Sequence, residues 1–87
     1  MKEISLIGST GSIGTQVLNV ARRYPDKFKI KSLVANASAE AFLRQVQEYK
    51  PTYAALVDEN EGKKIAAHIP KGVAFGYGKQ AAIEAVN

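Results

Sequence analysis

The segment Gly8-Ser9-Thr10-Gly11-Ser12-Ile13-Gly14 carries the strongest chemical signal in the chain. Its spacing is G-x-x-G-x-x-G, a variant of the usual G-x-G-x-x-G. Each glycine has a physical task. Gly8 lets the chain leave a strand in a tight turn. Gly11 has no Cβ, so backbone N–H groups can come close to a pyrophosphate. Gly14, one turn into the following helix, lets that helix pack near the sheet. The free N–H groups and positive dipole end of the helix then hold phosphate oxygens. Thr10 and Ser12 offer hydroxyls to the same oxygens. The plainer reading is a strand-to-helix turn with convenient glycines. A strand before and an amphipathic helix after favour the nucleotide reading.

A second candidate lies at the end of the second predicted strand, in Val34-Ala35-Asn36-Ala37-Ser38. Chains that hold NAD usually place Asp or Glu here, on the ribose 2′-hydroxyl. No carboxylate appears before Glu40, which leans toward NADP. Asn36 and Ser38 can bond a 2′-hydroxyl or a 2′-phosphate. Equally, Asn36 reads as a turn residue and Ser38 as a helix cap.

The elements that must position these turns follow from periodicity. A strand is predicted over 3–7. Ile13, Val17, Leu18, Val20 and Ala21 repeat at helical spacing, which predicts a helix over 12–23 with Ser12 as N-cap and Pro25 beyond its end. Phe28 to Ala35 alternates and then turns apolar, a second strand. Ser38 caps a second helix with Phe42, Leu43, Val46 and Tyr49 inward, closed by Pro51. Tyr53 to Val57 is a third strand. A weak helix follows over 60–68, with Asp58 as a possible cap. Val73 to Phe75 is a fourth strand, and Lys79 to Val86 a fourth helix with Ala82, Ile83 and Val86 inward. The order β-α-β-α-β-α-β-α predicts an α/β, Rossmann-like open parallel sheet in three layers. The expected strand order is 3-2-1-4, half of a doubly wound nucleotide fold. A strand is expected beside the fourth, so the chain reads as a truncated domain over 1–87.

Composition narrows the function classes. The 87 residues hold one domain, with 46% apolar and 23% charged residues. Twelve Lys+Arg against eight Asp+Glu give a net charge of +4. The cations are scattered and lack interleaved aromatics, which speaks against nucleic acid. The absence of cysteine excludes disulfides and thiolate chemistry. A single His68 excludes a histidine-pair metal site. No catalytic or metal-ligating residue is expected within the chain. With no spanning segment and no signal peptide, the expected compartment is the cytoplasm, without membrane association.

The run Ile4-Ser5-Leu6-Ile7-Gly8-Ser9-Thr10-Gly11-Ser12-Ile13-Gly14-Thr15-Gln16 closely resembles the N-terminus of the 1-deoxy-D-xylulose 5-phosphate reductoisomerases. The likeness continues through Tyr24-Pro25-Asp26-Lys27-Phe28, Ser32-Leu33-Val34-Ala35, Pro51-Thr52-Tyr53-Ala54-Ala55 and Gly78-Lys79-Gln80-Ala81-Ala82. The resemblance implies the NADPH-binding portion of an oxidoreductase of the non-mevalonate isoprenoid pathway. That family rearranges 1-deoxy-D-xylulose 5-phosphate and reduces the product to 2-C-methyl-D-erythritol 4-phosphate. It implies a divalent metal, magnesium or manganese, and a phosphorylated sugar substrate, both held by parts of a longer homodimeric enzyme outside this chain. Carried over to these positions, it implies cofactor contact at Gly8, Thr10, Gly11, Ser12 and Ile13, and at Asn36, Ala37 and Ser38. The family commonly has a basic residue where Ala37 stands. The 87 residues alone are expected to be inactive.

Two other readings compete. One is the nucleotide domain of a different NADP-dependent reductase with a G-x-T-G-x-x-G turn, such as a semialdehyde dehydrogenase or an atypical short-chain reductase. The other is a small stand-alone nucleotide-binding module.

Overall fold

The computed structural model describes residues 1–86. Four parallel strands, β1 (Lys2–Ile7), β2 (Phe28–Ala35), β3 (Tyr53–Leu56) and β4 (Ala74–Tyr77), alternate with α1 (Ser12–Arg23), α2 (Ala39–Tyr49), α3 (Glu59–Ile65) and α4 (Lys79–Ala85). A 3₁₀ turn, Ala66–His68, extends α3. This is the expected Rossmann-like α/β arrangement.

The strand order differs from the expected one. It is β1-β2-β3-β4, so β4 lies beside β3 and not beside β1. The reason is the face on which α3 packs. Ile65 joins the same core as Leu18 and Ala21 of α1 and Phe42 and Val46 of α2. A right-handed crossover on an unchanged face keeps stepping the sheet in the same direction. α4, by contrast, lies on the opposite face and packs Ala85 on Val34 and Ala55. Among the described residues, β1 and β4 are therefore both edge strands.

One irregularity in β2 sets up the core. The β1–β2 register runs Ile4↔Ile30 and then Ser5↔Ser32, which leaves Lys31 unpaired as a bulge. The extra residue moves the side-chain alternation by one. Phe28, Ile30, Leu33 and Ala35 thereby share the face under α1 and α2. Ser32 and Val34 turn to the other face, where the buried Ser32 hydroxyl donates to the Ala85 carbonyl at 2.6 Å. That bond satisfies a terminal carbonyl of α4.

The expected inward faces are partly corrected. Leu18 and Ala21 are buried on α1, but Ile13 is 76% exposed and Val20 49%. On α4, Ile83 is exposed. Both misplaced residues of α1 lie off the stripe formed by its buried residues Gly14, Leu18 and Ala21. In α2, Phe42 and Val46 are fully buried as expected. That helix stops at Lys50, whose φ of 46° is left-handed, and Pro51 follows.

Candidate functional site

The two candidate turns come together at the carboxyl edge of the sheet. β1 and β2 are neighbours, with Ile7 opposite Val34. The Val34 carbonyl accepts from the amides of Gly8 at 2.7 Å and Ser9 at 3.1 Å. The glycine turn is thus tied to the strand that ends in Asn36-Ala37-Ser38. In open α/β sheets, ligands bind at this edge, outside the carboxyl ends of the strands.

Within the first turn, Gly8 has φ +80°, a left-handed conformation suited to glycine. The Gly11 amide donates back to the Gly8 carbonyl at 3.0 Å and closes the turn. Gly14 sits directly against it. A Cβ on Gly14 would lie 2.3 Å from the Gly8 carbonyl oxygen and 2.9 Å from Ser9 Cα, so the helix approaches this closely only because residue 14 has no side chain. Gly11 behaves differently. Its φ is −76° and a Cβ there would meet only the Gly8 carbonyl, at 3.4 Å. The fold does not need glycine at 11 for its backbone angles, so the freedom there belongs to whatever approaches from outside.

Gly11 is the N-cap of α1, and Ser12, expected as the cap, is instead its first helical residue. No side chain caps this helix. The first amides of α1, those of Ser12 and Ile13, have no intrahelical acceptor. Gly11, Ser12 and Ile13 are exposed and Thr10 is half-buried. The Thr15 hydroxyl donates to the Gly11 and Ser12 carbonyls at 3.0 and 2.9 Å, which ties those carbonyls to the helix. The result is an uncapped helix start presenting N–H groups, a phosphate-type cradle.

In the second turn, Asn36 and Ser38 are exposed and Ala37 is half-buried. Ser38 holds the N-cap position of α2 but makes no capping bond with its side chain. Its hydroxyl is therefore available to a ligand. Asp58, by contrast, does cap α3, accepting from the Glu61 amide at 3.0 Å. Its own amide donates to the Asn36 carbonyl at 2.8 Å, which brings this carboxylate beside the second turn. Sequence spacing alone did not signal that neighbour. Lys31, the bulge residue, stands in mid-strand and not at this turn.

Sequence reasoning also missed Gln45. Its side-chain Nε2 donates to the Ser9 carbonyl at 2.7 Å, from α2 into the glycine turn. Arg22 and Arg23 lie at the other end of α1, in its last turn. Arg22 pairs with Glu48 at 2.7 Å and donates to the Tyr49 hydroxyl at 3.2 Å. The Tyr49 hydroxyl bond and then its charge, followed by Glu48, hold the Arg22 pKa above its usual value. This network fastens α1 to α2 away from both turns. It also lines a cavity of about 420 Å³, together with Pro25, Phe28 and Ile30. That cavity is at the amino ends of the strands and has no part in the candidate site.

Among the described residues, no three of His, Cys, Asp and Glu gather in a metal-binding group. No helix of the described residues is long and apolar enough to cross a membrane.

A family model for 1-deoxy-D-xylulose 5-phosphate reductoisomerase matches residues 4–87. The chain belongs to that reductoisomerase family. A reductoisomerase of Crocosphaera subtropica is 46% identical over 61 residues, 70% of this chain and 15% of that protein. One of Shouchella clausii is 38% identical over 80 residues, 92% of this chain and 21% of its own length. The chain therefore spans about a fifth or less of the curated relatives it matches. Among solved structures, the Zymomonas mobilis reductoisomerase in complex with NADPH superposes with a TM-score of 0.84, at 23% identity, over 97% of this chain and 22% of that one. A reductoisomerase in complex with NADPH, fosmidomycin and magnesium gives 0.81, again at 23% identity, over 97% and 21%. These likenesses show that this chain has the fold of the matched part of those reductoisomerases.

Proposed function

We propose that residues 1–87 form the NADPH-binding segment of a reductoisomerase that converts 1-deoxy-D-xylulose 5-phosphate to 2-C-methyl-D-erythritol 4-phosphate. The observation that carries this reading is the glycine turn: Gly8 in a left-handed conformation, Gly14 pressed beneath it, and an uncapped helix start opening beside the 36–38 turn. The family membership of the whole run supports the same cofactor.

The roles follow from the geometry. The amides of Ser12 and Ile13 and the positive end of α1 hold the pyrophosphate. Thr10 and Ser12 add hydroxyl donors. Gly11 leaves the space into which the phosphates enter. Gly8 shapes the turn. Ile7 and Ile13, 70% and 76% exposed, flank it and offer apolar surface to the cofactor. Asn36 and Ser38 bond the adenosine ribose, with Ala37 between them. When bound, NADPH supplies the hydride. The residues of this chain bind and orient it. The divalent metal of the family finds no ligand set among the described residues. Metal, sugar phosphate and dimer contacts belong to the rest of a longer enzyme, which we place in the cytoplasm.

The test is a fluorescence titration of the purified chain with NADPH, beside an assay with the deoxyxylulose phosphate and magnesium or manganese. Saturable NADPH binding without turnover is expected. Absence of binding removes the cofactor reading, and turnover removes the division of labour.

A further inference from the structure

We infer that Gln45 is a positioning residue for the phosphate-binding turn, holding the peptide between Ser9 and Thr10 so that the Thr10 amide faces the cofactor. This rests on the proposed NADPH reading and adds to it a residue on a different helix. The Gln45 side chain reaches from the middle of α2 and donates to the Ser9 carbonyl at 2.7 Å. Ser9 is completely buried. No described peptide bond is cis, so a carbonyl drawn inward turns the following N–H outward across the same plane. Fixing the Ser9 carbonyl toward α2 therefore aims the Thr10 amide away from the core. The neighbouring amides are already committed, Gly8 and Ser9 to Val34 and Gly11 to Gly8. Of the four residues 8–11, Thr10 is thus the one whose N–H is presented outward, and Gln45 is what orients it.

Ser9 Oγ and Gln45 Oε1 are both buried without a partner. Buried polar atoms left unsatisfied oppose stability, and an apolar side chain of similar volume avoids that penalty. Gln45 Nε2, however, is the donor that reaches the carbonyl of the completely buried Ser9, so an apolar residue at 45 leaves that carbonyl without it.

The test compares Gln45→Met and Gln45→Glu with the unaltered chain. Methionine keeps the volume and removes the donor. Glutamate keeps the shape and, ionised, turns an oxygen toward the Ser9 carbonyl. Both variants should bind NADPH about tenfold more weakly, equivalent to about 1.4 kcal/mol. The methionine variant leaves the buried Ser9 carbonyl without this donor and should melt at a lower temperature. Affinity is therefore read well below the melting temperature of each variant, where a purely structural role leaves it unchanged. Unchanged NADPH affinity of both folded variants overturns the inference. If the unaltered chain does not bind NADPH, the cofactor reading fails and the clamp is still read separately. NMR relaxation of the Thr10 and Gly11 amides in the ligand-free chain should show greater mobility in Gln45→Met. Equal mobility overturns the clamp whatever the cofactor does.

Discussion

Gly14 lies beneath the carbonyl oxygen of Gly8, so close that a Cβ there would sit 2.3 Å from it. Both groups belong to backbone and neither can swing aside. Gly14→Ala must therefore push α1 away from β1 or break the turn. The expected loss is about 3 kcal/mol, the upper part of the range for overpacking. Thermal melting monitored by circular dichroism checks it. A melt within the error of the unaltered chain would mean that α1 docks differently.

Gly11→Val separates fold from ligand. With φ −76° and only one neighbour at 3.4 Å, position 11 accepts a side chain with small strain. The helix and turn should persist, with stability lowered by about 1 kcal/mol because valine is a poor residue at the N-cap. NADPH affinity should fall by at least about tenfold, because the branched side chain occupies the phosphate approach. Titration beside a melt reads both. Retained affinity would show that the phosphates lie elsewhere.

Ala37→Arg should favour NADPH over NADH. The 36–38 turn offers no cation, and the nearby Asp58 carboxylate is held by the Glu61 amide. A guanidinium can meet the 2′-phosphate with charge-assisted bonds that a plain 2′-hydroxyl cannot match. Exposure reduces the gain, so the NADPH:NADH affinity ratio should rise about 3- to 30-fold, at about 1.4 kcal/mol per tenfold. The rise should shrink with added salt. An equal gain for both cofactors would mark a general charge effect.

Gly62→Ala tests the far edge of the sheet. A Cβ on Gly62 would lie 2.3 Å from Tyr77 Cβ, so α3 and β4 must part. Stability should drop by about 2 kcal/mol. NADPH affinity of the folded fraction should hold, since β4 is the strand farthest from β1. A coupled loss of affinity would show that the α3–β4 contact supports the cofactor turn, which Asp58 and Asn36 would then transmit.

Much of this protein is written in local sequence. α1 over 12–23 and β2 over 28–35 were legible to the residue, because glycine, proline and apolar spacing act over a few neighbours. So were the tasks of Gly8 and Gly14 in the turn. Where α3 would pack was not legible. Its face depends on Ile65 finding the core already formed by Leu18, Phe42 and Val46, and that choice sets β4 beside β3. Ile13 and Val20 fit the helical stripe of α1 yet stay exposed, since periodicity marks a face without stating what covers it. The bulge at Lys31 likewise reorients β2 through pairing with β1. Asp58 beside Asn36, and Gln45 reaching Ser9 across 36 residues, exist only because packing brings distant segments to one edge. Local rules determined the elements and the turn; the choice of faces, which is a property of the assembled core, decided the sheet order and the residues that support the turn.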